Sequence, residues 1–156
     1  MIRLAQEKDF PQLANMKWLH SEEDDMVYGE SNLAGVDKEK FVAEFIRFLD
    51  TDKTYKIFVL EEHEVIISAM FVSMIPKVPK PNGNANYIAY LTNVHTLKEY
   101  RNKNKGTELL AYIKQYLREQ KCELIIVWPS DRSVNWYVRN GFRQENEVFE
   151  CDLTPE

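Results

Sequence analysis

The sequence has few of the residues that hold together disulfide-rich or metal-binding folds. Its two cysteines, Cys122 and Cys151, stand in no metal-ligand or redox spacing, which favours reduced thiols in a cytoplasmic protein. No apolar run approaches the roughly 18 residues that a membrane-spanning helix needs. The first residues include the charged Arg3 and Glu7, unlike a signal peptide. We therefore expect a cytoplasmic protein without a membrane partner and without a metal.

The chain also lacks an excess of positive charge. It has 20 Lys and Arg against 25 Asp and Glu, for a net charge of -5. This balance disfavours nucleic acid as the main partner, although a small local basic patch is still allowed. The chain has 156 residues, 44% of them hydrophobic, which suits one domain with a core that needs no disulfides. We take residues 1–156 as a single domain.

Hydrophobic periodicity predicts that strands and helices alternate along the chain. The predicted strands are residues 2–5, 55–61, 65–75, 87–96 and 124–128, with closing strands within 142–153. The predicted helices begin at Asp9, at Asp37, at Lys105 and at Ser130 or Asp131, which are residues that suit helix starts. A polar, acidic segment separates the first two helices.

This order predicts a mixed α/β fold with antiparallel N-terminal strands and flanking helices. The unit from residue 87 to residue 128 should be a right-handed parallel strand-helix-strand crossover. The continuous apolar run at 124–128 suits a strand covered on both faces. Ligands of such sheets bind at the carboxyl ends of the strands, and a basic turn lies there.

The basic turn follows the fourth predicted strand and opens a helix. Amides at a helix start lack internal partners, and the helix dipole adds positive potential, so neighbouring cations can help to hold a phosphate. The alternative is a solvated, charged loop. A Walker phosphate loop is excluded, because the required glycine and Gly-Lys-Ser/Thr are missing. The turn consists of Arg101, Asn102, Lys103, Asn104, Lys105, Gly106 and Thr107.

The segment from about 87 to 142 resembles the coenzyme A site of the GNAT superfamily of acyl-CoA N-acyltransferases. Arg101-x-x-Asn104-x-Gly106 is similar to the family's Arg/Gln-x-x-Gly-x-Gly/Ala turn, and Asn104 can replace the first glycine because Asn tolerates positive φ. Trp136-Tyr137 followed by Gly141-Phe142 is similar to the family's Phe-Tyr-x-x-x-Gly-Phe ending. The resemblance implies a GNAT-type mixed sheet and acetyl-CoA as cosubstrate.

The resemblance also implies roles for individual residues. In this family the fourth strand bends away from the fifth, and its free main-chain groups bind the pantetheine arm and polarise the acyl carbonyl. Here those groups belong to Val94, His95 and Thr96, and the amides of residues 102–107 would bind the pyrophosphate. Ser130, with Ser133 beside it, stands where the family often has an asparagine that contacts the cofactor arm.

Tyr137 is implied as the general acid that protonates the departing thiolate. The alternative is a core tyrosine whose hydroxyl bonds the backbone. His95 is the candidate general base, since neither the fourth nor the fifth predicted strand carries a glutamate and a histidine pKa suits the task. A merely packed histidine is the alternative, and Asn93 could only orient a water.

The acidic segment is the candidate acceptor region. Carboxylates with interleaved aromatic residues would attract a cationic amine, whereas a solvated loop is the alternative. The segment contains His20, Glu22, Glu23, Asp24, Asp25, Tyr28 and Glu30, and Trp18 precedes it.

The sequence thus predicts an N-acetyltransferase that moves an acetyl group from acetyl-CoA to a primary amine by direct attack in a ternary complex. The acceptor would be a small molecule or a peptide, and a homodimer is compatible with this prediction. The competing hypothesis is a non-catalytic acyl-CoA-binding sensor or partner module.

Overall fold

A computed structural model describes residues 1–83, 86–145 and 147–155. Its described residues form one sheet with the order β1-β2-β3-β4-β5. Neighbouring strands are antiparallel except for β4 and β5, which are parallel. The strands are β1 (Ile2–Leu4), β2 (Tyr55–Glu62), β3 (Val65–Pro76), β4 (Tyr87–Thr96) and β5 (Cys122–Ile126), and the α-helices are α1 (Phe10–Tyr28), α2 (Lys38–Thr51), α3 (Lys105–Glu119) and α4 (Val134–Arg139). The predicted mixed α/β architecture is confirmed.

Helices cover both faces of the sheet because successive residues of β2 and β3 point to opposite sides. Phe58 and Leu60 of β2 belong to a core cluster with α3. Ile57 and Val59 belong to a second cluster with α1 and α2. The α3 residues of the first cluster are all buried, and they are Leu109, Leu110, Ile113 and Leu117. The site described below lies at one end of this three-layer arrangement.

The first helix is longer than the sequence predicts. Residues 20–28 belong to α1, which ends where Gly29 takes a left-handed conformation with φ 66°, a common helix stop. The interpretation of these residues as an acidic loop is therefore wrong. Glu and Asp are polar but can lie in a helix, so the polarity of this segment led to a predicted end of α1 that is too early. Asp37 does cap α2, since its carboxylate accepts from the amides of Glu39 and Lys40.

The C-terminal part of the sheet also differs from the prediction. β5 begins directly after Lys121, a left-handed residue with φ 60°, and ends at Ile126. Residues 142–145 and 147–155 form no strand, so the predicted closing strands are wrong for these residues. β5 is consequently an edge strand, and Leu124 is 51% exposed. An apolar run does not reveal whether a neighbouring strand covers it, so the predicted double-sided burial is also wrong.

A buried ion-pair cluster joins the N-terminus to the sheet. The Arg3 guanidinium donates to Asp9 from Nη1 at 2.7 Å and from Nη2 at 3.0 Å, and to Glu61 from Nε at 3.0 Å. The Asp9 carboxylate also accepts from the amide of Gln6 at 2.7 Å. The hydrogen bonds to Asp9, above all those from Arg3, hold the pKa of its carboxyl below the usual range. Asp9 therefore fixes the chain before α1 and makes no side-chain cap bond to that helix.

We expect Asp9→Ala to lower the free energy of unfolding by about 1.5–3 kcal/mol, the usual range for hydrogen bonds to charged groups. The cost arises because Arg3 would stay largely buried with Glu61 as its remaining partner. Denaturant unfolding would measure it. The exposed pair of Arg143 and Glu145 supplies the control, since Glu145→Ala should change stability by less than about 0.5 kcal/mol. Equal losses in both variants would contradict the assigned role.

Candidate active site

The two parallel strands separate at the carboxyl end of β4. β5 pairs with β4 only as far as Tyr90 and Ile126. On the other side of β4, Phe71 pairs with Thr92 and Ala69 pairs with His95. Between these two pairs β4 advances by three residues and β3 by only two. The extra residue marks a β-bulge. Asn93, at φ 49°, lies inside it, so β4 bends away from β5 as the family resemblance implies.

A cavity of about 580 Å³ opens where the strands separate. All but one of the predicted cofactor contacts line it. The exception is Lys103, whose Nζ lies 5.7 Å from the centre of the Tyr100 ring. The structure brings these residues together, while their roles stay predictions. The lining contacts are Val94, His95, Thr96, Arg101, Asn102, Asn104, Lys105, Gly106, Thr107, Ser130 and Ser133.

The turn before α3 has the backbone that a glycine-rich turn would have. Asn102 and Asn104 take left-handed conformations with φ 61° and 60°. The amide of Glu108 is the first to bond back, to the Asn104 carbonyl at 2.9 Å. The amides of residues 105–107 therefore precede the regular bonding of the helix and are available to an anion.

Gly106 allows α3 to begin close to the end of β4. A Cβ atom at this position would lie 3.3 Å from Thr96 Oγ1 and 3.3 Å from Cζ2 of Trp136. Any side chain would push the helix start away from the strand or the indole. The glycine of the turn is therefore needed for close approach rather than for positive φ.

Arg101 connects the turn to α1. Its Nη1 and Nη2 donate to Glu23 Oε2 and Oε1 at 2.8 and 2.7 Å, and its Nε donates to the Thr96 carbonyl at 2.9 Å. Lys105 likewise pairs with Glu62. Arg101 and Lys105 are thus both paired within the protein. The first amides of α3, which have no partner within the helix, belong to residues of the cavity lining.

Two other cationic residues of the lining were missed by the sequence analysis. Arg132 and Arg139 come from the turn before α4 and from the end of α4. Arg132 Nη2 lies 4.0 Å from Glu23 Oε2, whereas Arg139 forms no ion pair with the described residues. The signal for Arg139 was present, because it lies inside the segment from Tyr137 to Gly141 that carries the family resemblance.

Ser130 and Ser133 form a small hydroxyl pair at the opposite wall. Their Oγ atoms lie 3.0 Å apart, and Ser133 Oγ also donates to the Ser130 carbonyl at 2.9 Å. Neither the predicted Ser130 cap nor an Asp131 cap forms a side-chain bond at this turn. The Tyr28 hydroxyl accepts from the amide of Arg132 at 3.1 Å, which links the end of α1 to this wall.

Tyr137 lies in the core beside the cavity rather than in its lining. It is 6% exposed and packs edge-on against Trp136 and Phe142, with ring centres 4.9 and 5.2 Å away. Its hydroxyl forms no hydrogen bond with a described residue. Because every fully buried polar side-chain atom of the described residues has a partner, the hydroxyl keeps some contact with solvent. Burial raises the pKa of Tyr137 to about 12, so the phenol is protonated at neutral pH.

A histidine pair lies between α1 and β4. The rings of His20 and His95 stack with centres 5.4 Å apart and planes at 27°. Burial, followed by the proximity of the titratable His20 and of the Arg101 guanidinium, lowers the pKa of His95 to about 4. Burial also lowers the pKa of His20, while the Asp24 carboxylate acts against that shift. Both imidazoles are therefore neutral at neutral pH.

A mixed sheet that opens between its parallel strands, with a helix start and a cavity at the opening, is the arrangement that the resemblance to acyl-CoA-dependent acyltransferases implies. The sequence matches the profile of the Acetyltransferase (GNAT) family over residues 13–142. The chain belongs to this family and is an acyltransferase of the GNAT type. No curated protein matches the sequence.

Solved structures share the fold over nearly the whole chain. A predicted acetyltransferase from Clostridium acetobutylicum, solved with acetyl-CoA, is 20% identical with a TM-score of 0.73, covering 98% of this chain and 96% of that chain. A GCN5-related N-acetyltransferase from Ralstonia eutropha JMP134 is 17% identical with a TM-score of 0.69, covering 97% of both chains. Glucosamine-6-phosphate N-acetyltransferase from Arabidopsis thaliana is 16% identical with a TM-score of 0.66, covering 99% of this chain and 98% of that chain. Such likeness shows the shared fold.

No helix among the described residues is long and apolar enough to cross a membrane. No group of three or more His, Cys, Asp or Glu side chains among them could hold a metal ion.

The burial of His95 predicts a pH dependence of stability. In the unfolded chain its pKa returns to about 6.5, whereas in the folded chain it is about 4. Between these values the unfolded state binds more protons, so the folded state loses stability as the pH falls. His95→Gln should remove up to about 3 kcal/mol of that loss.

Denaturant unfolding across this pH window tests the prediction. His63→Gln is the matched control, because His63 is exposed in the turn between β2 and β3 and should leave the pH dependence unchanged. A wild-type pH dependence in the His95 variant would contradict the neutral, buried state of this imidazole.

Proposed function

We propose that this protein is an N-acetyltransferase that moves an acetyl group from acetyl-CoA to the primary amine of a small molecule or peptide. The transfer occurs by direct attack within a ternary complex. The observation that carries the proposal is the cavity at the opening between β4 and β5, where the bent strand, the amides of α3 and the acidic face of α1 meet. When bound, acetyl-CoA supplies a thioester that an amine can attack.

The residues around the cavity fit this cosubstrate. The amides of residues 102–107 would hold the pyrophosphate, because the first amides of α3 have no partner within the helix. The main chain of Val94, His95 and Thr96 lies beyond the last pair with β5 and would bind the pantetheine arm as an added strand does. Ser130 and Ser133 would bond the same arm. The cavity volume lies in the usual range of about 300–1,000 Å³ for ligand sites.

The acceptor would reach the cavity beside α1. The carboxylates of α1 have separate roles here: Glu23 is held by Arg101, and Asp25 accepts from the amides of Asn32 and Leu33. Asp24 lines the cavity, and its one ion-pair contact with a described residue is with His20, at 3.7 Å. We propose that Asp24 attracts a positively charged amine to the site.

A non-catalytic acyl-CoA-binding module is the second candidate. The observation in its favour is that Tyr137, the expected proton donor, is buried outside the cavity lining. Both candidates bind acetyl-CoA, whereas the enzyme alone releases thiol when an amine is added. Screening amines for thiol release from acetyl-CoA therefore separates the two.

Calorimetry with acetyl-CoA tests the binding site. We expect Arg139→Gln to weaken binding about tenfold or more, because a cation without an ion pair in the lining is free to bond a phosphate, and a hydrogen bond between charged groups contributes about 1.5–3 kcal/mol. Arg118→Gln is the matched control, since Arg118 lies in the last turn of α3 away from the cavity. If the wild-type protein does not bind acetyl-CoA, the proposed function fails.

Tyr137→Phe tests the proton donor. The change keeps the packed ring and removes the ionisable hydroxyl, so turnover should fall about 10²–10⁴-fold, as is usual for lost acid–base catalysis. Affinity for acetyl-CoA, measured by calorimetry, should be nearly unchanged. Full turnover in this variant would contradict the role of proton donor, and Tyr137 would then be a packed core residue without a catalytic role.

A further inference from the structure

We infer that His20, on the first helix, is the general base that takes a proton from the acceptor amine, with Asp24 orienting its ring and His95 fixing that ring by stacking. The inference rests on the proposed transfer to an amine. It shifts the base from β4, where the sequence analysis placed it on His95, to the acceptor side of the cavity.

The three side chains surround one corner of the cavity. His20 and Asp24 are one helical turn apart on α1, and both line the cavity together with His95. The imidazole planes of the two histidines are close to parallel, at 27°, so His95 limits the rotation of the His20 ring. A base held in one orientation at the cavity wall can meet an incoming amine without first being ordered.

The position of Asp24 favours one tautomer of His20. The Nε2 atom of His20 lies 3.7 Å from Asp24 Oδ2, which is an electrostatic contact rather than a hydrogen bond. A carboxylate favours a proton on the nitrogen that faces it, so we expect the neutral ring to carry its hydrogen on Nε2. Nδ1 is then the unprotonated nitrogen, and it accepts no hydrogen bond from the described residues. The atom that can accept a proton is therefore free.

Exposure favours His20 over His95 as the group that exchanges protons. His20 is half-buried, whereas His95 is buried. A base must release its proton to water after each turnover, and the more exposed ring can do so. Deep burial suits His95 to a fixed, neutral role.

The surrounding charges point the same way. A general base becomes a cation when it takes the proton, and the adjacent Asp24 carboxylate stabilises that cation on His20. Arg101 and Lys17 disfavour a cation on both histidines, but on His20 the opposing effect of Asp24 is larger than either, whereas on His95 no carboxylate outweighs Arg101. Glu23 acts in the opposite direction, but its carboxylate is bound on both oxygens by Arg101. The charged and titratable groups that act on His20 are Asp24, Lys17, Glu23, Arg101 and, by stacking, His95.

The proton balance of the transfer assigns one proton to His20. A protonated primary amine has three N–H hydrogens. His20 Nδ1 takes the first, which frees the nitrogen lone pair for attack, and later passes it to water. As the new C–N bond forms and the C–S bond breaks, Tyr137 gives its proton to the departing sulfur, the second amine hydrogen replaces the proton that Tyr137 has lost, and the amide keeps the third. No oxidant, reductant or further reactant is required.

Steady-state kinetics with an amine that the wild-type enzyme acetylates tests the assignment. We expect kcat of the wild type to fall at pH values below the ordinary histidine pKa of 6.5. His20→Gln should lower kcat about 10²–10⁴-fold and abolish that fall. Imidazole added to His20→Ala should restore part of the rate. Affinity for acetyl-CoA, measured by calorimetry, should stay within about twofold of wild type, since a shift of that size is only about 0.4 kcal/mol.

Two further variants separate a catalytic role from a structural one. His95→Gln removes the stacking partner, so kcat should fall by less than in His20→Gln and the acid limb should persist. His63→Gln, in the exposed turn between β2 and β3, should match wild type throughout. If instead His95→Gln abolishes the acid limb while His20→Gln retains it, the base is His95 and the inference is overturned.

Nitrogen-15 NMR of the histidine rings gives a readout that needs no turnover. In the free wild-type protein at neutral pH, His20 should show the neutral ring with its hydrogen on Nε2, and Asp24→Asn should reduce the population of that tautomer. A His20 that is protonated at neutral pH, or that carries its hydrogen on Nδ1, would overturn the inference. Wild-type protein that binds acetyl-CoA and acetylates amines while His20→Gln is fully active would overturn the base alone, and the proposed function would stand.

Discussion

The separation of β4 from β5 is the constraint on which the site depends. Parallel strands that stayed paired to their ends would leave no unbonded main chain at this edge and no space for a ligand. The extra residue around Asn93 bends β4 away, and Gly106 then allows α3 to start against the strand end. The cavity, the free amides and the meeting of α1 with β4 all follow from this one opening in the sheet.

Much of the fold could be predicted because its signals are local. The strand at residues 87–96 and the hairpin before it follow from apolar patterns bounded by polar or proline-rich turns. Asp37 starts α2 because its carboxylate accepts from the amides of the residues two and three positions later. The errors concern features that depend on distant partners. Whether β5 is covered is decided by residues that follow it, and the end of α1 is decided by Gly29 rather than by the polarity of residues 20–28.

The candidate site could be predicted as a set of positions more readily than as a set of interactions. The sequence placed the turn and the strand end correctly at the cavity because motif spacing fixes their location. It could not show that Arg101 is bound by Glu23, a residue 78 positions away, or that His20 stacks on His95. Such pairs arise only when α1 folds across the sheet, and they change which side chains are free for chemistry.

The bond between Glu23 and Arg101 has a thermodynamic consequence for ligand affinity. It joins α1, the proposed acceptor side, to the turn proposed to hold the cosubstrate, so a ligand that strengthens or weakens this bond from one side changes the affinity of the protein for a ligand on the other. Binding free energies linked in this way are reciprocal: whatever factor one substrate applies to the affinity of the second, the second applies to the first. A single charge pair can thus couple the binding affinities of two chemically unrelated ligands.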